Sequence, residues 1–128
     1  MINLNTLSSI KIFGIGVSDS TIIEIEERLS LKLPSEYIKL LKQADGFFLD
    51  NGITVYSSKD ICERNETFEV QDYAPGHLAI GDDSGGLSIL INLENEKIFS
   101  VDQGSMDVDD MTLIGNSLSN WLLNGCKL

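Results

Sequence analysis

Apolar residues alternate at period two over Leu87, Ile89, Ile91 and Leu93, with Leu90 on the opposite side. That pattern predicts a strand apolar on both faces, which belongs in the middle of a sheet with cover above and below. Leu78-Ala79-Ile80 reads as its partner strand, reached through Gly81-Asp82-Asp83-Ser84-Gly85-Gly86. Gly85-Gly86 is expected to supply the positive φ angles of a tight hairpin turn.

Helical spacing dominates earlier. Ile22, Ile25 and Leu29 share one face of a helix that starts near Ser18 to Thr21. Thr21 with Glu24 reads as a capping box, Asp19 suits the positive end of the dipole, and Glu24 pairs with Arg28 at i,i+4. The helix must stop before Pro34, which opens a second one whose apolar face is Tyr37, Leu40, Leu41 and Ala44 and whose end is Gly46. Before both, Ile10, Ile12, Phe13 and Ile15 read as a short strand or as a packed lead-in, with Gly14 and Gly16 weakening either.

Downstream, Phe47-Phe48-Leu49 and Ile53-Thr54-Val55-Tyr56 flank Asn51-Gly52 as a hairpin. Ser57 to Asn65 reads as a short helix capped by Ser57 or Ser58, with Ile61 and Cys62 inward. Thr67 to Gly76 reads as an exposed connection. Glu94-Asn95 turns into a strand over Lys97 to Val101, Asp102 to Asp110 is an acidic loop, and Leu113 to about Asn124 is a closing helix with Ile114, Leu118, Trp121 and Leu122 on one stripe. The sum is an α+β fold in one domain, residues 1–128. A mostly antiparallel or mixed meander is flanked by an N-terminal helical hairpin and a C-terminal helix.

Charge changes the picture more than composition does. Nine basic against twenty acidic residues give a net charge of −11. Such a field repels nucleic acid, keeps the chain soluble, and speeds encounter with a basic partner. Met1 to Asn5 lacks the basic start and apolar run of a signal peptide, and no stretch reaches the length of a membrane span, so a cytoplasmic protein is expected. Cys62 and Cys126 lack metal-site spacing and read as two buried thiols in preference to a single disulfide.

The candidate chemistry is thin. Asp82 and Asp83, as neighbours on a strand, point to opposite faces and do not converge on one substrate atom. They read instead as rim carboxylates that cap local N–H groups or face a partner. Asp102, Asp107, Asp109 and Asp110 form the densest acidic run, but the glycine and late glutamate of a calcium loop are missing. The run is a solvated loop or an electrostatic contact for a basic partner. His77 has no nucleophile arrangement beside it, and Gly14-Ile15-Gly16 lacks the third glycine of a dinucleotide fingerprint. No cofactor, metal site or catalytic residue is expected.

Three segments, in order, resemble the SUKH superfamily, the group of bacterial immunity proteins that also holds yeast cell-wall regulators of the Smi/Knr type. They are Ile25 to Tyr37 with its Leu33-Pro34 and acidic-Tyr continuation to Asp45-Gly46, then Ala79 to Gly86, then Ile98 to Asp102 with the closing Ile114 to Leu122. The resemblance implies one SUKH-like domain, a monomer or weak dimer, that binds a cognate toxin domain and blocks it by occlusion without chemistry of its own. Toxins of this kind are often nucleases and tend to be basic, and the partner-binding residues would be Asp82, Asp83, Asp102, Asp107, Asp109 and Asp110. The alternative it implies is a cytoplasmic regulatory or scaffold module. A small metal-dependent hydrolase using Asp82 or Asp83 is a third, weaker reading.

Overall fold

The computed structural model describes residues 3–7 and 9–128. Its frame is one sheet of seven strands: β1 (Lys11–Ile12), β2 (Phe47–Phe48), β3 (Thr54–Val55), β4 (His77–Asp82), β5 (Leu87–Asn92), β6 (Ile98–Asp102) and β7 (Thr112–Gly115). Their spatial order is their chain order, and every neighbouring pair is antiparallel. The sheet is therefore a pure meander, and the mixed alternative falls away. Between β1 and β2 lie α1 (Asp19–Leu29) and α2 (Ser35–Gln43). Between β3 and β4 lie α3 (Ile61–Thr67) and α4 (Val70–Tyr73), and α5 (Leu118–Leu123) closes the chain.

The strand apolar on both faces is β5, held between β4 and β6, with Ile89, Leu90 and Ile91 fully buried. Cover comes from α3 and α4 packed on β4, with α1 on α3, and from α5 packed on β7 and α2. Tyr37, Phe47 and Trp121 are the largest fully buried side chains of the resulting core. Burying rings of this size supplies much of the hydrophobic stabilisation.

Among the polar side chains buried there, one takes the place of a strand. Past Tyr56, whose N–H reaches the carbonyl of Ile80, β4 has no strand on its β3 side. The buried Asn65 of α3 takes the place of one. Its Nδ2 donates to the Ala79 carbonyl (2.9 Å) and the Ile61 carbonyl (2.8 Å), and its Oδ1 accepts from the Ala79 N–H (2.9 Å).

Several local expectations are corrected. Leu113 and Ile114 are the strand β7, not helix: β6 otherwise presents an open edge, and pairing Leu113 with Phe99 satisfies its backbone groups. The helix begins only after Ser117, whose hydroxyl caps the Asn120 N–H (3.0 Å). The stretch Thr67 to Gly76 is not an exposed connection, because α4 buries Val70 and Ala74 completely after Glu69 turns through a left-handed φ of 51°. Ser18, not Thr21, caps α1, and Arg28 reaches across to Glu66 of α3 (2.5 and 3.1 Å) in place of Glu24. A bidentate carboxylate offers Arg28 a better geometry than an i,i+4 neighbour does. Asp60 precedes α3, while Ser58 donates its N–H and hydroxyl to Asp45 (2.5 and 2.8 Å). Of the segment before Gly16, Leu4–Thr6 form a 3-10 turn and Lys11–Ile12 form β1. Met1, Ile2 and Ser8, over which the domain and leader readings also run, lie outside the described residues.

Candidate functional site

In a meander, alternate turns fall at the same end of the sheet. The β2–β3 turn around Asn51-Gly52, the β4–β5 turn around Ser84-Gly85 and the long β6–β7 connection therefore share one end. Two contacts join them into a continuous rim. Ser84 Oγ donates to the Gly52 carbonyl (2.7 Å), and the Gln103 N–H donates to the Gly86 carbonyl (2.8 Å).

The rim collects the aspartates singled out in the sequence. Asp82 and Asp83 sit on the middle turn, Asp102 ends β6 beside Leu87, and Asp107, Asp109 and Asp110 lie on the connection to β7. Asp50, exposed in the first turn, belongs with them and was missed by reading the acidic runs alone. Its signal was the Asn-Gly hairpin, which in a meander had to open toward the same end. No Lys or Arg occurs in residues 43–58, 65–96 or 98–126, so none of the three turns carries a compensating cation.

Five of these carboxylates hold their own turns. Asp82 accepts the Tyr56 hydroxyl (2.8 Å) and the Ser84 N–H (2.9 Å), and Asp83 accepts the Gly85 and Leu87 N–H groups (2.8 and 2.9 Å). The positive φ angles fall at Ser84 (64°) and Gly86 (110°), not at Gly85, because Asp83 closes the turn around Gly85. Asp102 accepts from the Gly104 N–H, Asp107 from the Asp109 N–H, and Asp110 from the Ser105 hydroxyl. These bonds order the loops and fix the direction of the charges. Burial, followed by the bond to Asp82, raises the Tyr56 hydroxyl well above the usual tyrosine range and keeps it a proton donor.

Asp82 and Asp83 are engaged with different partners, Asp82 at the end of β4 and Asp83 in the turn that follows. His77 lies at the opposite end of β4, buried and edge-on to Phe99 with ring centroids 5.8 Å apart. Among the described residues no three His, Cys, Asp or Glu side chains are grouped to hold a metal ion. Cys62 and Cys126 are buried free thiols. Beside the rim, Phe68, Glu69 and Tyr73 face Gln103, Ser105 and Met106 across an open groove, and Tyr73 is exposed. The rim is thus an ordered anionic surface with an aromatic wall. Such a surface is suited to receiving lysine and arginine side chains.

Among the described residues no helix is long and apolar enough to cross a membrane. The family model for the SMI1 / KNR4 family (SUKH-1) matches residues 16–124. That span contains the three segments noted in the sequence and every strand except β1. A protein of Bacillus subtilis (strain 168), titled "Uncharacterized protein YnaB", is 27% identical over 122 residues, covering 86% of this chain and 80% of that protein.

Proposed function

The chain belongs to the SMI1 / KNR4 family (SUKH-1), and from that premise we propose that it is an immunity protein for a bacterial polymorphic or contact-dependent toxin. It binds the toxic domain, covers its active site, and performs no chemistry itself. The observation that carries this reading is the anionic rim, in which three turns without Lys or Arg, from distant parts of the chain, bring seven aspartates to one end of the sheet. Ordered charge of one sign is costly to concentrate, because like charges repel across the turns. A basic partner relieves that repulsion and is drawn in by it. Toxin domains that act on nucleic acid supply such a partner, since they carry positive charge to engage phosphates.

The test is co-expression with the toxin-like domain of a large secreted protein encoded beside this chain. Growth rescue together with a one-to-one complex on co-purification supports immunity by direct binding. Loss of both, with the toxin shown to be active, excludes that toxin. It moves the weight to a Smi/Knr-type regulatory module, in which the same rim meets a host protein.

A further inference from the structure

The groove between α4 and the β6–β7 connection encloses about 410 Å³. That is room for one long side chain and the backbone that carries it. Backbone bonds hold both of its walls in place. On one side Glu69 turns through a φ of 51° between α3 and α4, and its carbonyl accepts the Tyr73 N–H (3.1 Å). On the other, the Ser105 and Met106 N–H groups both donate to the Asp102 carbonyl (3.0 and 2.9 Å). Met106 turns through a φ of 50° there and buries its side chain in the core.

The polar side chains lining this groove differ from the rim aspartates in one respect. Five of those aspartates are engaged in holding turns. The Glu69 carboxylate, the Tyr73 hydroxyl and the Gln103 amide, by contrast, have no hydrogen-bond or ion-pair partner among the described residues. Tyr73 is 59% exposed, so its ring is open to contact. We propose that the groove seats one arginine side chain projected by a basic protein partner. Its guanidinium stacks on the Tyr73 ring and donates to the Glu69 carboxylate and the Gln103 amide oxygen. This rests on the reading that the rim meets a basic protein, and it names the side chain by which that protein is recognised.

Charge selects the occupant. Residues 65–96 and 98–126 supply both walls and contain no Lys or Arg. Glu69 and Asp72 lie on one side, and Asp102, Asp107, Asp109 and Asp110 flank the other. An acidic peptide, a nucleic acid or a second copy of this −11 chain meets repulsion here. A purely apolar side chain would desolvate the Glu69 carboxylate without pairing it. Between the two cations, arginine fits better. A planar guanidinium can lie on a ring and bond a carboxylate at once, whereas a compact ammonium holds its water more tightly and offers no flat face.

The test is amide NMR of the full chain titrated with a capped Gly-Gly-Arg-Gly-Gly peptide, with the lysine counterpart as comparison. A salt concentration of about 0.15 M screens the long-range field beyond about 8 Å and leaves the local contact. The expected result is saturable shifts at Phe68 to Tyr73 and Gln103 to Met106, with a Kd of about 1–10 mM for the arginine peptide. The lysine peptide should bind at least about threefold more weakly. Tyr73→Ala and Glu69→Gln should each weaken the arginine peptide about three- to tenfold, while Tyr73→Phe, which keeps the ring, stays within about twofold. Both side chains are exposed, so thermal unfolding should match wild type. Shifts that spread over the rim without saturating overturn the inference, as do equal binding of the lysine peptide and arginine binding that persists in both Tyr73→Ala and Glu69→Gln. The same two substitutions should speed dissociation of the co-expressed toxin-like domain about tenfold. A one-to-one complex indifferent to both overturns the arginine seat and leaves the immunity reading standing. An active toxin that forms no complex, while the arginine peptide still seats in the groove, overturns immunity to that toxin and leaves the seat standing.

Discussion

Replacing Asn65 with alanine removes the group that stands in for a strand beside β4. The Ala79 N–H and carbonyl, both bonded to Asn65 at 2.9 Å, would be left buried without partners. Asn65 is 2% exposed and Ala79 fully buried, so water has no ready access to replace it. A buried polar group stripped of its partner costs about 1–3 kcal/mol, which makes the pair worth about 2–6 kcal/mol. Ile61 loses less, because its carbonyl keeps the i→i+4 bond of the helix. Against a total stability of about 5–15 kcal/mol that is a large fraction. At about 3–5 °C per kcal/mol for a domain of this size, the melting temperature should fall by about 6–30 °C. Asn65→Asp sharpens the test, since it keeps the shape and the acceptor but turns a carboxylate oxygen toward two carbonyls. Burial raises the folded-state pKa of such an acid above its unfolded value. Its stability relative to wild type is therefore best at low pH and is lost as pH rises through the folded pKa. Urea unfolding of the three proteins, with amide exchange at Ala79, provides the measurement. An alanine variant within about 0.5 kcal/mol of wild type would refute the surrogate-strand argument.

Other consequences are as direct. Neutralising Asp107, Asp109 and Asp110 together should slow association with a basic toxin domain about tenfold at low salt and flatten its salt dependence; an unchanged association rate in stopped flow removes them from the interface. A Cβ at Gly81 would sit 2.2 Å from the Thr54 carbonyl oxygen, so Gly81→Ala must push β3 off β4 and should cost about 1–3 kcal/mol in denaturant titration. Burial pushes the Cys126 thiol up to about 12, from an ordinary value of 9.0. The stability this contributes is complete below pH 9 and is lost as pH rises toward 12, because the unfolded thiol ionises first. Native protein should accordingly react with a thiol reagent at neutral pH only at its unfolding rate, and prompt labelling of Cys126 would contradict its burial.

The α+β class, the central hairpin, the Asn-Gly hairpin and the helical pair around Pro34 were legible because each rests on a local signal. Period-two alternation, a turn dipeptide and a proline act within a few residues. The larger errors lie where a partner distant in the chain decided the outcome. Leu113 and Ile114 fit a helical stripe with Leu118, yet became strand because β6, ten or more residues earlier, had an edge to fill. Val70 and Ala74 looked like linker and became core because α4 packs on β4. Arg28 had Glu24 at the right helical spacing and took Glu66 instead, 38 residues away.

The acidic rim divides along the same line. Composition and the runs at 82–83 and 102–110 established that the chain is strongly anionic and where the charge is dense. Only the meander could place those runs, together with Asp50, at one end of one sheet. Local backbone preference is written into each short segment, because it depends on neighbours a few bonds away. Which segments share a rim or an edge depends on strand order and register, and these emerge only when the whole core is packed.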